Sequence, residues 1–457
     1  MNALLFSGVW GVVMMLSSFV FKSKAVVRNI AIVGMIVLFA VNIAEMYGTV
    51  FFKIDVKEMI GFDRFALLFN SIIFGSTVIY FLLSARDMEK VGVNYGEYFA
   101  LIFFILCGVT LVTSFHTLLI LFLGIEIISI PLYILTGSDK RNLKSNEASL
   151  KYFLLGAFST GLMLMGIALI YGSAGTFNTI HLVTDPAKPS ALLISGMILL
   201  MSSMAFKVSA APFHFWTPDV YDGAPTVFTS FMATIVKTAA FVGFLKLFDD
   251  AFGSLQSQWQ LLIALLTALT LFIGNITAVF QQSVKRMLAY SSISQAGFML
   301  MAVYAMNAEA KEGLLLYSAA YCLATIGIFA VLTKLNDYSF EGFNGFAKRQ
   351  PVLALVTTIF LLSLAGIPLT AGFLSKFYML QAVAETGKYT WLVIFAVIMA
   401  VVSVYYYLRV VQAMYFKEGE GQALQISRSF KWILIIVAGL IILLGIFPNL
   451  ILNWLYF

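Results

Sequence analysis

The chain has 457 residues, of which 61% are hydrophobic and 11% are charged. A soluble domain carries about 25% charged residues, so this composition excludes an ordinary soluble protein. The net charge of +6 is typical of a membrane protein with basic loops at one face, and it does not require a nucleic-acid partner.

The apolar residues occur in blocks of about 20, the length of helix that crosses a bilayer. In chain order these blocks predict fourteen spans, at approximately 3–21, 25–44, 64–84, 97–115, 117–137, 150–173, 190–211, 225–247, 258–280, 287–306, 312–334, 351–382, 389–414 and 431–454. The twelfth block is too long for one straight crossing. We therefore predict an all-α polytopic membrane protein that forms a single transmembrane domain over residues 1–457.

Basic residues are distributed unequally between the two sets of alternate loops. One set carries more than twice as many Lys and Arg residues as the other. Because basic loops stay in the cytoplasm, the richer set, which includes 138–149, is predicted to face the cytoplasm. The number of spans is even, so both termini are expected on the outer side.

Proline interrupts two of the predicted spans, the seventh at Pro212 and the twelfth at Pro368. Proline removes a helix hydrogen bond, and broken helices at membrane depth are tolerated only against protein or water. Two five-helix units, spans 4–8 and 9–13, would each have a broken fourth helix. Because five crossings leave the chain on the opposite side of the membrane, the second unit would be inverted relative to the first. The predicted parts are helices 1–3 (1–95), the first repeat (96–248), the inverted repeat (258–416) and the last helix (430–457).

Four charged residues lie deep in predicted spans. They are Glu126, Lys207, Lys237 and Lys376, and each is the only Asp, Glu, Lys or Arg of its stretch, namely 98–138, 189–218, 223–245 and 350–384. Charges at such depth are costly, and they are usually paired, hydrated or functional. A structural ion-pair network is the alternative, but it would be expected to balance its charges, whereas three of these four residues are lysines.

Buried lysines can act as protonation switches. Burial disfavours the ammonium and a nearby carboxylate favours it, so a movable acidic partner can change the protonation of a lysine. Glu126 is the one deep carboxylate that could pair with Lys207. A chain of such groups, bridged by water, could carry protons across the bilayer. His214, two residues after Pro212, could relay protons or could equally be a hydrogen-bonded interfacial histidine.

The sequence offers few groups that could hold a cofactor or a metal ion. The two cysteines, Cys107 and Cys322, form no CxxC pattern, and the chain has three histidines without a facing pair. A single deep carboxylate is too little for a metal site, and no GxGxxG motif occurs. We therefore expect no redox centre, cofactor or metal in this chain.

The chain resembles the antiporter-like membrane subunits of respiratory complex I, and among them subunit N of the bacterial NADH-quinone oxidoreductase. The resemblance covers essentially the whole chain. Its most specific element is Pro212-Phe-His-Phe-Trp-Thr-Pro-Asp-Val-Tyr-Asp-Gly-Ala-Pro225, because WTPDVY followed by GAP distinguishes subunit N from subunits L and M. The supporting segments are Lys285-Arg-Met-Leu-Ala-Tyr-Ser-Ser-Ile-Ser-Gln-Ala-Gly297 and Gly366-Ile-Pro-Leu-Thr-Ala-Gly-Phe-Leu-Ser-Lys376. Gln295 stands where several relatives carry histidine, so we assign it no proton role.

The resemblance implies a proton-translocating subunit without redox chemistry of its own. Glu126 and Lys207 would be the paired residues of helices 5 and 7. Lys237 would be the central lysine of helix 8, and Lys376 the terminal lysine of helix 12.

The resemblance also implies partners and a location. Flavin, iron–sulfur clusters and quinone would belong to partner subunits. The neighbours would be subunit M and the small subunits K and J, in the bacterial inner membrane with both termini on the periplasmic side. Two alternatives stay open, namely a subunit of a multisubunit cation/proton antiporter and a structural membrane scaffold.

Overall fold

The computed structural model describes residues 1–52, 56–183, 185–419, 421–422, 424 and 426–455. Its helices are α1 (Asn2–Val20), α2 (Lys24–Met46), α3 (Arg64–Val91), α4 (Tyr95–Ser114), α5 (Leu118–Thr136), α6 (Leu143–Ala174), α7 (Ala191–Lys207), α8 (Trp216–Gly223), α9 (Thr226–Phe231), α10 (Lys237–Phe252), α11 (Gln256–Val279), α12 (Val284–Ala305), α13 (Ala308–Leu332), α14 (Phe346–Arg349), α15 (Pro351–Ala365), α16 (Ala371–Glu385), α17 (Thr390–Phe416), α18 (Arg428–Ile446) and α19 (Asn449–Leu452). A π-helical turn, Met232–Val236, joins α9 to α10. The predicted last segment, 430–457, ends on two residues outside the described ranges.

The prediction of an all-α membrane protein is confirmed. Within the described ranges, ten helical segments are long and apolar enough to cross a membrane, and one of them, Thr226–Val279, contains two of the predicted spans. The seventh, tenth and twelfth predicted spans coincide with α7, with α12 and with α15 followed by α16. Every one of the fourteen predicted spans therefore coincides with a helix or with a broken helix.

The first predicted break lies between α7 and α8. Helix α7 ends at Lys207, five residues before Pro212. The end of α7 leaves backbone carbonyls without helical partners, and the indole Nε1 of Trp216 donates to the carbonyl of Phe206 at 3.0 Å. The irregular backbone is thus satisfied by the protein itself, as the membrane interior requires.

The second predicted break lies between α15 and α16. Gly366, with φ of +85°, ends α15 in the left-handed conformation that favours glycine. Pro368 follows within the turn, and α16 then begins at Ala371. The break is tight, because a Cβ atom on Gly372 would lie 1.8 Å from the carbonyl oxygen of Ser363.

The packing order is the same in the two predicted five-helix units. In the first unit α4 packs on α5, and α6 packs on both halves of the broken helix, α7 and α8. In the second unit α11 packs on α12, and α13 packs on both α15 and α16. This correspondence supports two repeats. The units meet where α12 contacts α8 and α10, and where α13 contacts α9.

Candidate functional site

The broken helix of the first unit carries Lys207 as the last residue of α7. The negative end of a helix dipole favours a cation at this position. Its Nζ donates to the hydroxyl of Ser129 on α5 at 2.9 Å. Glu126, one turn earlier on α5, accepts a hydrogen bond from the hydroxyl of Thr160 at 2.8 Å.

The structure therefore brings Glu126 and Lys207 to the same place without a direct ion pair. Among the described residues, no contact within 4.0 Å joins the carboxylate to the ammonium, although the two remain within electrostatic range. Ser129 stands on the same face of α5 as Glu126, because residues three apart on a helix are neighbours. The predicted pairing of Glu126 with Lys207 stays a prediction, and in this structure each of the two side chains has a hydroxyl group as its hydrogen-bond partner.

Lys237 follows the π-helical turn directly and is the first residue of α10. Its side chain is only 1% exposed. The Nζ donates to the hydroxyl of Ser292 at 2.5 Å and to the carbonyl of the same residue at 3.1 Å, and the Tyr221 ring lies 5.7 Å away. Tyr321 donates to the Ser292 hydroxyl at 3.1 Å. Single π-helical turns occur frequently at functional sites.

Lys376, on α16, is 6% exposed and points across the second break. Its Nζ donates to the carbonyls of Leu364 and Ala365, both at 2.9 Å, and lies 4.8 Å from the ring of Phe298. It thereby satisfies two carbonyls at the end of α15, where a cation is also favoured by the helix dipole. Among the described residues, neither Lys237 nor Lys376 contacts a carboxylate.

A network of amide and hydroxyl groups lies between these two lysines. The Tyr317 hydroxyl donates to Oε1 of Gln295, and Nε2 of Gln295 donates at 2.9 Å to the hydroxyl of Tyr407. The same Nε2 donates at 2.9 Å to the carbonyl of Leu364, which also accepts from Lys376. Gln295, to which the sequence assigned no proton role, is therefore a hydrogen-bonded member of the site.

A small cavity lies beside this network of amide and hydroxyl groups. Its volume is about 10 Å³, which is space for roughly one water molecule, and its lining includes Gln295, Tyr317, Tyr321 and Lys376. Tyr321 donates to Ser292, the hydrogen-bond acceptor of Lys237, and both Tyr321 and Lys376 line the cavity. One water molecule could thus connect the two lysines through hydroxyl groups.

His214 lies in the break between α7 and α8 and is buried. Its ring stacks on Phe215 with centroids 4.7 Å apart, and its Nδ1 has no hydrogen-bond partner among the residues that the structure covers. No described contact joins it to Lys207. The relay role of His214 stays a prediction.

Several polar residues of the site were not predicted from the sequence. They are Ser129, Thr160, Ser292, Tyr317, Tyr321, Tyr407 and the bridging position of Gln295. A partial signal exists for some of them, since Ser129 is one helical turn from Glu126. The tyrosines of α13 give no such signal, because they reach the lysines across helices.

Outside the apolar spans, Asp219 of the WTPDVY motif ties the two units together. It accepts from Lys151 of α6 at 2.8 Å and from Arg286 of α12 at 3.0 Å. Burial alone would raise the pKa of Asp219, but these two hydrogen bonds hold that pKa below its usual value. The motif that distinguishes the sequence is thus a structural junction at one end of the broken helix.

No cluster of three or more His, Cys, Asp or Glu residues that could hold a metal ion occurs in the part of the chain that the structure describes.

Comparisons with known proteins agree on one family. Residues 116–403 match the family model described as NADH:quinone oxidoreductase/Mrp antiporter, TM. The chain is 40% identical to NADH-quinone oxidoreductase subunit N of Cytophaga hutchinsonii, over 99% of both chains, and 36% identical to that of Flavobacterium psychrophilum, over 99% of this chain and 100% of the relative. A chain of respiratory complex I from Thermus thermophilus with bound Aureothin has a TM-score of 0.85 at 30% identity, over 99% of this chain and 98% of that chain. A chain of the Mrp complex from Dietzia sp. has the same TM-score at 17% identity, over 99% and 95%, and so shares the fold.

Proposed function

The chain belongs to the family of NADH-quinone oxidoreductase N subunits, and from that premise we propose that it translocates protons through a relay of buried lysines. It is an antiporter-like, multi-pass membrane subunit of the NADH-quinone oxidoreductase complex. The proposed relay consists of Glu126, Lys207, Lys237 and Lys376. The redox groups, namely flavin, iron–sulfur clusters and quinone, belong in this proposal to partner subunits.

The observation that carries the proposal is the contrast between Lys246 and two lysines of the relay, Lys237 and Lys376. Lys246, which is also buried, forms ion pairs with Asp63 at 3.4 Å and Asp250 at 3.1 Å, as a structural charge should. Lys237 and Lys376 have only hydroxyl and carbonyl groups as hydrogen-bond partners in the described chain. A lysine held in this way can release its proton without leaving a carboxylate unpaired.

The proposed transfer follows the hydrogen bonds. A hydroxyl group both donates and accepts, so Ser292 and Tyr321 can pass a proton between Lys237 and a water molecule in the small cavity. That water could reach Lys376 across the cavity. Gln295 cannot titrate, and in this proposal it holds Tyr317 and the Leu364 carbonyl in place around the water.

At the other end of the proposed relay, Glu126 controls the charge of Lys207. When the carboxylate turns from Thr160 towards the lysine, it stabilises the ammonium; when it turns back, the ammonium loses its counter-charge and its proton can move on to Lys237. Ser129 accepts the Lys207 hydrogen bond in the separated arrangement. His214 could supply protons at the broken helix.

Glu126→Gln is expected to lower proton translocation clearly while the complex still assembles. The amide keeps the contact with Thr160 but cannot supply a counter-charge to Lys207. The measurement is the number of protons translocated per electron in vesicles that contain the purified complex. Glu147→Gln is the matched control, because Glu147 is 64% exposed and lies outside the relay. Unchanged translocation in an assembled Glu126→Gln complex would remove Glu126 from the proposal.

The proposed orientation places both termini on the periplasmic side of the inner membrane, with subunits M, K and J as neighbours. Its test is cysteine labelling with a membrane-impermeant reagent. We expect a cysteine at Arg141, which is exposed beside the start of α6, to be labelled only from the cytoplasm. A cysteine at Ala187, exposed in the next loop, should be labelled only from the opposite side. The reverse pattern would overturn the orientation.

A further inference from the structure

A cavity of about 570 Å³ lies between α2, α3 and α18, away from the lysine relay. Its rim carries the cations Arg28, Arg86, Lys90 and Lys334. The ends of α2, α3 and α18 that line it belong to the face that the loop charges predict to be cytoplasmic. This cavity has no part in the proposed proton route.

The walls of this cavity change from polar to apolar within one helical turn. Residues four apart on a helix lie on the same face, one above the other. Each of the three helices carries such a pair, namely Arg28 and Ile32 on α2, Arg86 and Leu82 on α3, and Ser429 and Ile433 on α18. In each pair the apolar residue lies deeper in the membrane, so the cavity is polar at the surface and apolar below.

The polar rim has more positive than negative charge. The ion pairs are Arg28–Glu89 at 2.8 Å, Lys90–Asp87 at 2.9 Å and Lys334–Asp87 at 2.5 Å. Two carboxylates therefore face four cations. The side chain of Arg86 is exposed and has no partner among the described residues. A ligand for this rim should be an anion.

The three helices that line the cavity also carry exposed apolar residues that can contact lipid. Val33 on α2 is 54% exposed, Leu82 on α3 is 43% exposed and Ile436 on α18 is 59% exposed. A small soluble anion would leave these residues uncovered. The acyl chains of a phospholipid would cover them while its phosphate meets the arginines, which bind phosphate with a planar fork of donors.

We propose that this cavity binds the headgroup of an anionic phospholipid, with the acyl chains lying along α2, α3 and α18. The phosphate would contact Arg86 first, because that side chain is unpaired. Lys334 connects this rim to α13, because it lies two residues beyond the end of that helix and 4.8 Å from the Phe430 ring of α18. The lipid would thus brace the end of the helix that carries Tyr317 and Tyr321.

The test compares the purified complex with an Arg86→Gln complex. Basic residues near an anionic membrane surface contribute about 1 kcal/mol each, so phosphatidylglycerol should bind about fivefold more weakly to the variant. Arg141→Gln is the matched control, because Arg141 is an exposed cation of the same predicted face outside the cavity, and it should bind like the wild type. The measurement is native mass spectrometry of the delipidated complex titrated with phosphatidylglycerol.

Competition experiments identify the class of ligand, and a cross-linking experiment shows whether a protein covers the cavity. Phosphatidylcholine and glycerol 3-phosphate should both fail to compete with phosphatidylglycerol. Equal competition by glycerol 3-phosphate would show a site for soluble phosphates and would overturn the proposal. Equal binding of phosphatidylglycerol to the wild-type complex and the Arg86→Gln complex would also overturn the proposal. Cross-linking of a cysteine at Leu82 to another subunit would show that protein, and not lipid, fills the cavity.

Discussion

Replacement of Lys237 by methionine is expected to abolish proton translocation through this subunit while the complex still assembles. Methionine keeps the length and apolar bulk of the side chain but cannot titrate. A proton-transfer group typically contributes about 10²-fold or more to a rate, so the loss should be of at least that order. The measurement is proton translocation in reconstituted vesicles, alongside NADH oxidation with an artificial acceptor, which checks that the remote redox site is intact.

Lys237→Arg separates the relay from a structural role. Arginine keeps the charge but holds its proton too tightly to release it, so the relay predicts that this variant also fails. Lys246→Arg is the matched control, because Lys246 lies on the same helix, is also buried and is held by Asp63 and Asp250. It should translocate protons normally. Full translocation by Lys237→Arg would indicate a structural charge.

Substitution of Lys376 should affect both proton translocation and stability. Lys376→Met removes the donor to the Leu364 and Ala365 carbonyls, and within the described ranges only the Leu364 carbonyl keeps another side-chain donor, Gln295. An unsatisfied buried carbonyl costs about 1–3 kcal/mol, so this variant should unfold more readily. Lys376→Arg keeps hydrogen-bond donors near the two carbonyls and should be more stable than Lys376→Met. It should nevertheless translocate no more protons than Lys376→Met.

The measurements for Lys376 are the thermal unfolding of the purified complex and its proton translocation. Lys388→Met is the control, because Lys388 is exposed just beyond α16. Normal translocation by Lys376→Arg would mean that this lysine only caps α15. Equal stability of the Met and Arg variants would show that the two carbonyl contacts contribute little.

The sequence predicted those parts of the site that depend on local chemistry. An ammonium inside apolar chain is costly, so the isolation of Lys237 and Lys376 marked both as functional candidates. Proline removes a helix hydrogen bond, so Pro212 and Pro368 marked the breaks between α7 and α8 and between α15 and α16. These features need no knowledge of neighbouring helices.

The parts that were missed depend on contacts between helices. Glu126 and Lys207 were predicted to pair because no other deep carboxylate was available, and the sequence did not indicate that hydroxyl groups of α6 and α5 would be their hydrogen-bond partners. Gln295 was set aside because it stands where several relatives carry histidine, but its hydrogen bonds to Tyr317 and to the Leu364 carbonyl make it a bridge. Neither arrangement leaves a periodic pattern in the sequence.

The central claim is that Lys237 and Lys376 act in series on one proton route. Its most direct test is the number of protons translocated per electron by the complexes with Lys237→Met, with Lys376→Arg and with both substitutions. If both groups lie on one route, the loss of either already blocks it. The double variant should therefore show the same reduced number of protons per electron as each single variant. A double variant whose ratio falls by the sum of the two single losses, or single variants that keep the wild-type ratio, would contradict the account.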